Sequence, residues 1–168
     1  MAVERTDAEL IEACQRGDAR AFETLYRRHR DWVVSLAFRF CGNHDDALDV
    51  LQETFHYLLR KLPGLRLSAK LTTFLYPAVK HRAIDRRRAA TRMTALPAEE
   101  PVGMHGLPLD VREVWATLGP PQREVLELRF LEGFSLDEIA ATLRLPVGTV
   151  KSRLHYALAA LRQKIGEP

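Results

Sequence analysis

The chain has 168 residues, 46% of them hydrophobic, enough apolar material for one ordinary domain or two small ones and too much for a disordered polymer. Two cysteines exclude a disulfide framework, and no stretch is long or apolar enough for a transmembrane helix or a signal-peptide core, so a folded cytoplasmic protein without membrane insertion is expected. The net charge of +3 is modest but unevenly placed: Lys80 to Arg92 holds six Lys or Arg against one acid, whereas Asp45 to Glu53 holds four acids and no Lys or Arg.

In chain order, Thr6 and Glu9 form a capping-box pattern that starts a helix ending near Gly17, and Asp18 opens a second one. From Phe22 the apolar positions run Leu25, Tyr26, Trp32, Val33, Leu36, Ala37 and Phe40, a three-and-four spacing that predicts a long amphipathic helix with Phe22, Trp32 and Phe40 in its core. Cys41-Gly42-Asn43 breaks it. Asp45 or Asp46 is placed to cap the next helix, whose stripe of Ala47, Val50, Leu51, Thr54, Phe55, Leu58 and Leu62 runs to Pro63-Gly64. Ser68 is placed to start a further helix that runs into the arginine cluster. Between Thr91 and Asp110 the periodicity stops and Pro97, Pro101, Gly103, Gly106 and Pro108 appear, which reads as a flexible linker over 91–110. Four helices are then expected, over 111–118, 122–132, 136–144 and 148–165. No segment alternates with a strand's period of two. The fold expected is all-α, with two small helical domains at 1–90 and 111–168.

Residues 134–164 carry the most specific local pattern. Ser135 and Glu138 can form a capping box, Leu136, Ile139, Ala140 and Leu143 face a core, and Leu145-Pro146 makes a tight turn. Gly148 and Thr149 open a second helix with Val150, Leu154, Ala157, Leu158 and Leu161 as its buried stripe. Lys151, Ser152, His155 and Tyr156 then face outward near its N-terminal end, where the second helix of a DNA-reading helix-turn-helix meets base edges and phosphates. Thr149, Lys151, Ser152, Arg153, His155 and Tyr156 are the candidate contact set.

Three segments together resemble the extracytoplasmic-function sigma factors, the small bacterial transcription initiators that keep only regions 2 and 4 of the larger sigma family. Residues 46–55, from Asp46 through Asp49, Gln52 and Glu53 to Phe55, are similar to the region-2 helix that docks on the polymerase clamp. The segment from Phe74-Leu75-Tyr76 through Ile84-Asp85-Arg86-Arg87-Arg88 resembles the helix that melts and reads the minus-ten element. Leu118-Gly119-Pro120-Pro121-Gln122-Arg123-Glu124-Val125, with Gly133 and the helix-turn-helix, resembles region 4, which binds the minus-thirty-five element and the polymerase flap. The resemblance implies a non-enzymatic subunit that directs core RNA polymerase to promoters and starts DNA melting. It implies no cofactor or metal, an anti-sigma factor as a further partner, and a monomer when free.

The residues give these roles a separate rationale. A melted strand is held by cations together with aromatic rings on which bases stack. Phe74, Tyr76, Lys80, His81, Arg82, Arg86, Arg87 and Arg88 supply both. The acids Asp46, Asp49 and Glu53, with Gln52, repel DNA and fit a basic protein surface instead. Five positions depart from the family pattern: His81 replaces a usual Asn that captures a flipped base, Pro77 replaces a usual Arg and predicts a helix start or kink, Arg144 occupies a turn position commonly Gly, and Tyr156 and Leu158 occupy positions often basic. Two other functions are compatible with parts of the pattern: a free-standing helix-turn-helix regulator binding duplex DNA as a dimer, and a nuclease using the acid cluster with Mg²⁺.

Overall fold

The computed structural model describes residues 4–94, 113 and 115–165, and every regular element among them is helical. They divide between two compact units on either side of residue 103.

In the first unit, α1 (Asp7–Gln15) starts with the expected capping box: Glu9 N–H donates to the Thr6 hydroxyl at 3.3 Å and Thr6 N–H donates to the Glu9 carboxylate at 2.7 Å. Asp18 caps α2 (Ala19–Cys41), accepting from the amides of Arg20 and Ala21. Ala21, Leu25, His29, Val33 and Ala37 recur every four residues and are buried, a ridge suited to helix packing. Phe22, Trp32 and Phe40 are only half-buried at its flanks. Gly42 ends α2 in the left-handed conformation at φ 75°, where a side chain would strain the backbone.

That sharp exit decides the next cap. Asn43, extended after the turn, accepts the Asp46 amide at 3.1 Å, so α3 (His44–Lys61) is capped by Asn43 and not by Asp45 or Asp46, which lie inside its first turn. Ala47, Val50, Leu51, Thr54, Phe55 and Leu58 are buried along α3, and Phe55 meets Phe22 and Tyr26 edge-on with centroids 6.1 and 4.8 Å apart. A short 3₁₀ turn, Leu62–Gly64, follows, and Gln15 donates to the carbonyls of Leu62 and Leu65 to tie α1 to it.

The fourth helix departs from expectation at both ends and in the middle. α4 (Leu71–Thr94) begins three residues after Ser68, runs four residues into the expected linker, and continues through Pro77 without a break. Proline in a helix interior costs about 3 kcal/mol. Leu75, Tyr76 and Val79 are each no more than 2% exposed, and burying a large apolar side chain gives about 1.5–3 kcal/mol apiece, so packing outweighs the local penalty. Helix α2 packs on α1, α3 and α4, and α3 packs on α4.

A polar contact fastens α1 to this framework. Asp7 holds the buried His29 Nε2 at 2.8 Å through one oxygen and Arg28 at 2.7 Å through the other, while Arg28 also reaches Glu4 at 2.9 Å. Burial pushes the Asp7 carboxyl up, but hydrogen bonds from His29 and Arg28 more than offset this and leave it below its ordinary value.

The second unit is built from shorter pieces. Residues 115–117 are helical, and the start expected at Val111 lies outside the described residues. α5 (Pro120–Leu126) begins two residues earlier than the sequence suggests, because Gly119 is extended and Pro120 suits the first helical position. It widens into a π-turn at Glu127–Leu131, after which Gly133 turns at φ 67° and the Phe134 amide bonds the Leu128 carbonyl at 2.9 Å. α6 (Leu136–Leu143) has the expected capping box between Ser135 and Glu138. Arg144 ends it at φ 54°, the left-handed position usually given to Gly. In α7 (Val147–Ile165) the Pro146 carbonyl accepts the first helical bonds from Thr149 and Val150. Val150 and Ala157 are buried, and Leu154, Leu158 and Leu161 are partly buried; the last four residues of this set pack with Leu118, Leu126 and Trp115.

Candidate functional site

Helix α3 exposes one acidic face. Asp46, Asp49 and Glu53 lie at three- and four-residue intervals, with Gln52 exposed beside them. The exposed Leu48 and Leu59 lie on the same helix. The acids do not stand alone. Arg86, from α4, sits 2.5 Å from Asp49 and 3.6 Å from Asp46, and it also bonds Glu53 closely. The Glu53 carboxylate holds the Arg86 guanidinium above its ordinary value, against the opposing effect of burial, and Asp49 adds to the shift. Arg82 approaches the same Glu53 at 3.7 Å.

The aromatic and cationic residues expected to hold a melted strand are distributed unequally. Tyr76 is 2% exposed, packed edge-on against Phe40 at 6.4 Å, and presents no ring face for a base. This corrects its expected role: positions 74 and 76 lie about 200° apart around a helix, so both rings cannot serve one surface. Phe74 is half-buried and stacks on Tyr57 of α3, with centroids 5.8 Å apart and planes at 15°. The Arg82 guanidinium lies 5.0 Å and the Lys61 ammonium 5.7 Å from the Tyr57 ring centre. Lys80 lies 6.0 Å from the Phe40 ring. His81 is 79% exposed, its Nε2 3.2 Å from Asp85, and Arg88 is 72% exposed at 4.0 Å from that same Asp85. Arg87 is half-buried.

Tyr57 and Lys61 were not anticipated as site residues. Their i, i+4 spacing on α3 was visible in the sequence, but only the packing of α3 on α4 brings Tyr57 to Phe74 and Arg82.

On α7 the outward face is the expected one. Lys151, Ser152, His155 and Tyr156 are exposed, whereas Thr149 and Arg153 are half-buried. Tyr156 meets His155 edge-on at 5.8 Å, and the Ser152 hydroxyl donates to the Gly148 carbonyl at 3.0 Å.

The cysteines offer no activated thiol: burial pushes both Cys14 and Cys41 up, and the Cys41 thiol donates to the Asn43 carbonyl at 3.2 Å. Among the described residues no three His, Cys, Asp or Glu side chains gather as metal ligands, and no helix is long and apolar enough to cross a membrane.

Comparison with known proteins bears on what these faces serve. Residues 25–93 match the Sigma-70 region 2 family and residues 116–163 match Sigma-70, region 4. The chain is 33% identical to the RNA polymerase sigma-H factor of Pseudomonas aeruginosa over 96% of its length and 94% of that protein's. It is 32% identical to the ECF RNA polymerase sigma-E factor of Escherichia coli, covering 98% of this chain and 97% of that one. Among solved structures, CnrH in complex with the cytosolic domain of CnrY superposes with a TM-score of 0.70 at 26% identity, covering 95% of this chain and 97% of that chain. Two region matches in the expected order, and near full-length similarity to proteins of one kind, make this chain a member of the extracytoplasmic-function RNA polymerase sigma factors.

Proposed function

We propose that this sigma factor divides its work among three helices. The acidic face of α3, with Asp46, Asp49, Gln52 and Glu53, docks on a basic surface of core RNA polymerase, the clamp. Phe74, Lys80, His81, Arg82, Arg87 and Arg88, joined by Tyr57 and Lys61, hold the melted minus-ten strand. Thr149, Lys151, Ser152, Arg153, His155 and Tyr156 on α7 read the minus-thirty-five element, and the second unit also binds the flap. In this division of labour the first domain runs to the end of α4 at Thr94, past the boundary expected at residue 90, and the second starts near residue 111. The observation that carries the reading is the separation of sign: carboxylates line one face of α3, while α7 carries cations and no acid. In this reading an anti-sigma factor holds the free protein.

Run-off transcription with core polymerase on a genomic promoter library, with and without the protein, tests this. Start sites that depend on the protein and share two spaced upstream motifs are expected. Initiation with no shared motif would overturn the assignment of α4 and α7 to promoter reading. Charge reversal at Asp49 and Glu53 is expected to abolish co-purification with core polymerase; retained co-purification would remove α3 from the docking surface.

A further inference from the structure

We infer that Arg86 is a positioning residue for polymerase docking, separated by the packing of α4 on α3 from the cations that hold promoter DNA. The inference rests on the reading that the acids of α3 bind core polymerase.

Three consecutive arginines, Arg86 to Arg88, cannot share one face, because successive helical residues are turned about 100° from each other. Arg86 turns toward α3, where it meets Asp46, Asp49 and Glu53 together. Its side chain is 30% exposed, against 72% for Arg88, but Arg82 at 21% is less exposed still, so what sets Arg86 apart from the strand-holding cations is its engagement by three carboxylates and not its burial. A guanidinium is a planar fork and can serve two carboxylates at once from its two terminal nitrogens, which is the arrangement here: one Nη bonds Asp49 and the other bonds Glu53.

The fork leaves the face competent. Arg86 meets three carboxylates with one positive charge, and Arg82 stands at 3.7 Å from only one of them, so a net negative field persists. The Asp49 and Glu53 side chains remain 53% and 44% exposed. A basic partner can therefore approach without expelling Arg86. What Arg86 contributes is rotamer order: two side chains that would otherwise be fixed only on binding are fixed beforehand, and that ordering cost no longer weakens the complex. Using Arg86 on a phosphate instead would break both of these bonds and leave the acids facing the DNA.

The test uses the full chain with R86A, R86K and a D49R/E53R double variant, measured for affinity to core polymerase. Each holoenzyme, assembled at saturating sigma, is then measured for the salt dependence of binding to a promoter with a pre-melted minus-ten element. R86A and R86K are both expected to weaken core binding about tenfold while leaving the salt slope of the assembled holoenzyme unchanged. Lysine keeps the charge but not the fork, so its weakening separates positioning from simple field. A role confined to fold stability would lower the unfolding midpoint of R86K, followed by circular dichroism, without changing core affinity at a temperature where the protein is folded, and that would overturn the inference. Wild-type core affinity with a salt slope reduced by about one would instead make Arg86 a phosphate contact. If D49R/E53R binds core as well as wild type, the docking reading itself fails and the inference falls with it, a result distinct from failure of the Arg86 variants alone.

Discussion

In the first unit the cationic helix α4 lies against the acidic helix α3, and Arg86 is taken up by Asp46, Asp49 and Glu53; in the second, α7 carries Lys151, Arg153 and Arg162 and no acid at all. The first unit thus arranges its charges against each other before any partner arrives, on long helices with a continuous core. In the second unit α7, a 19-residue helix that follows two short ones, a π-turn and a left-handed arginine, leaves its cations to be neutralised from outside. Charge that is packed between helices acts mainly by orienting its neighbours, whereas charge on a lone outer face acts through the field it projects.

The largest effect on this contrast is expected from emptying the core that holds α3 and α4 in place. Leu25 is fully buried, and Leu25→Ala should lower the stability of the first unit by about 3 kcal/mol while leaving the unfolding of the second in place. Two resolved transitions in urea, one shifted, are expected; one common transition that shifts as a whole would show the units to be energetically fused.

Next is the Asp7 contact. The folded-state pKa of Asp7 is depressed, so its contribution is fully present above the unfolded carboxyl value near 4 and is lost as pH falls through the lower folded value. Asp7→Asn should cost about 2 kcal/mol at neutral pH and flatten the loss of stability below about pH 4. An unchanged acid limb in the variant would place the titrating group elsewhere.

Arg144→Gly should stabilise the second unit by about 0.5–1 kcal/mol, since glycine adopts φ 54° without the Cβ clash, and a thermal melt reads this directly. The smallest effect sharpens the field argument. Lys151→Ala should weaken promoter binding about equally on all sequences and lower the salt slope by about one. A change confined to particular sequences would make Lys151 a base reader.

The all-helical architecture was legible because its punctuation is local. Thr6 with Glu9, Ser135 with Glu138, and the turn at Gly42 act within a few residues of the chain, and the structure has each of them. Pro77 was misread because its penalty is local while its compensation, the burial of Leu75, Tyr76 and Val79, is tertiary. Asn43 was overlooked as a cap because three capping residues lie within four positions, and only the exit angle after Gly42 chooses among them. For the site, the outward face of α7 followed from its period alone. The phase difference between Phe74 and Tyr76 was also readable from period. The pairing of Tyr57 with Phe74, and of Arg86 with the acids of α3, joins residues 17 and more than 30 positions apart, and no local rule reports it.

The bond from the Ser152 hydroxyl to the Gly148 carbonyl has a bearing on base choice. With its one proton committed to the backbone, the hydroxyl can offer only lone pairs to whatever lies above it. In a major groove, lone pairs match the exocyclic amines of adenine and cytosine and are repelled by the exposed carbonyl oxygens of guanine and thymine. On the proposed reading of α7, Ser152 is therefore expected to favour amino-bearing bases while that internal bond holds.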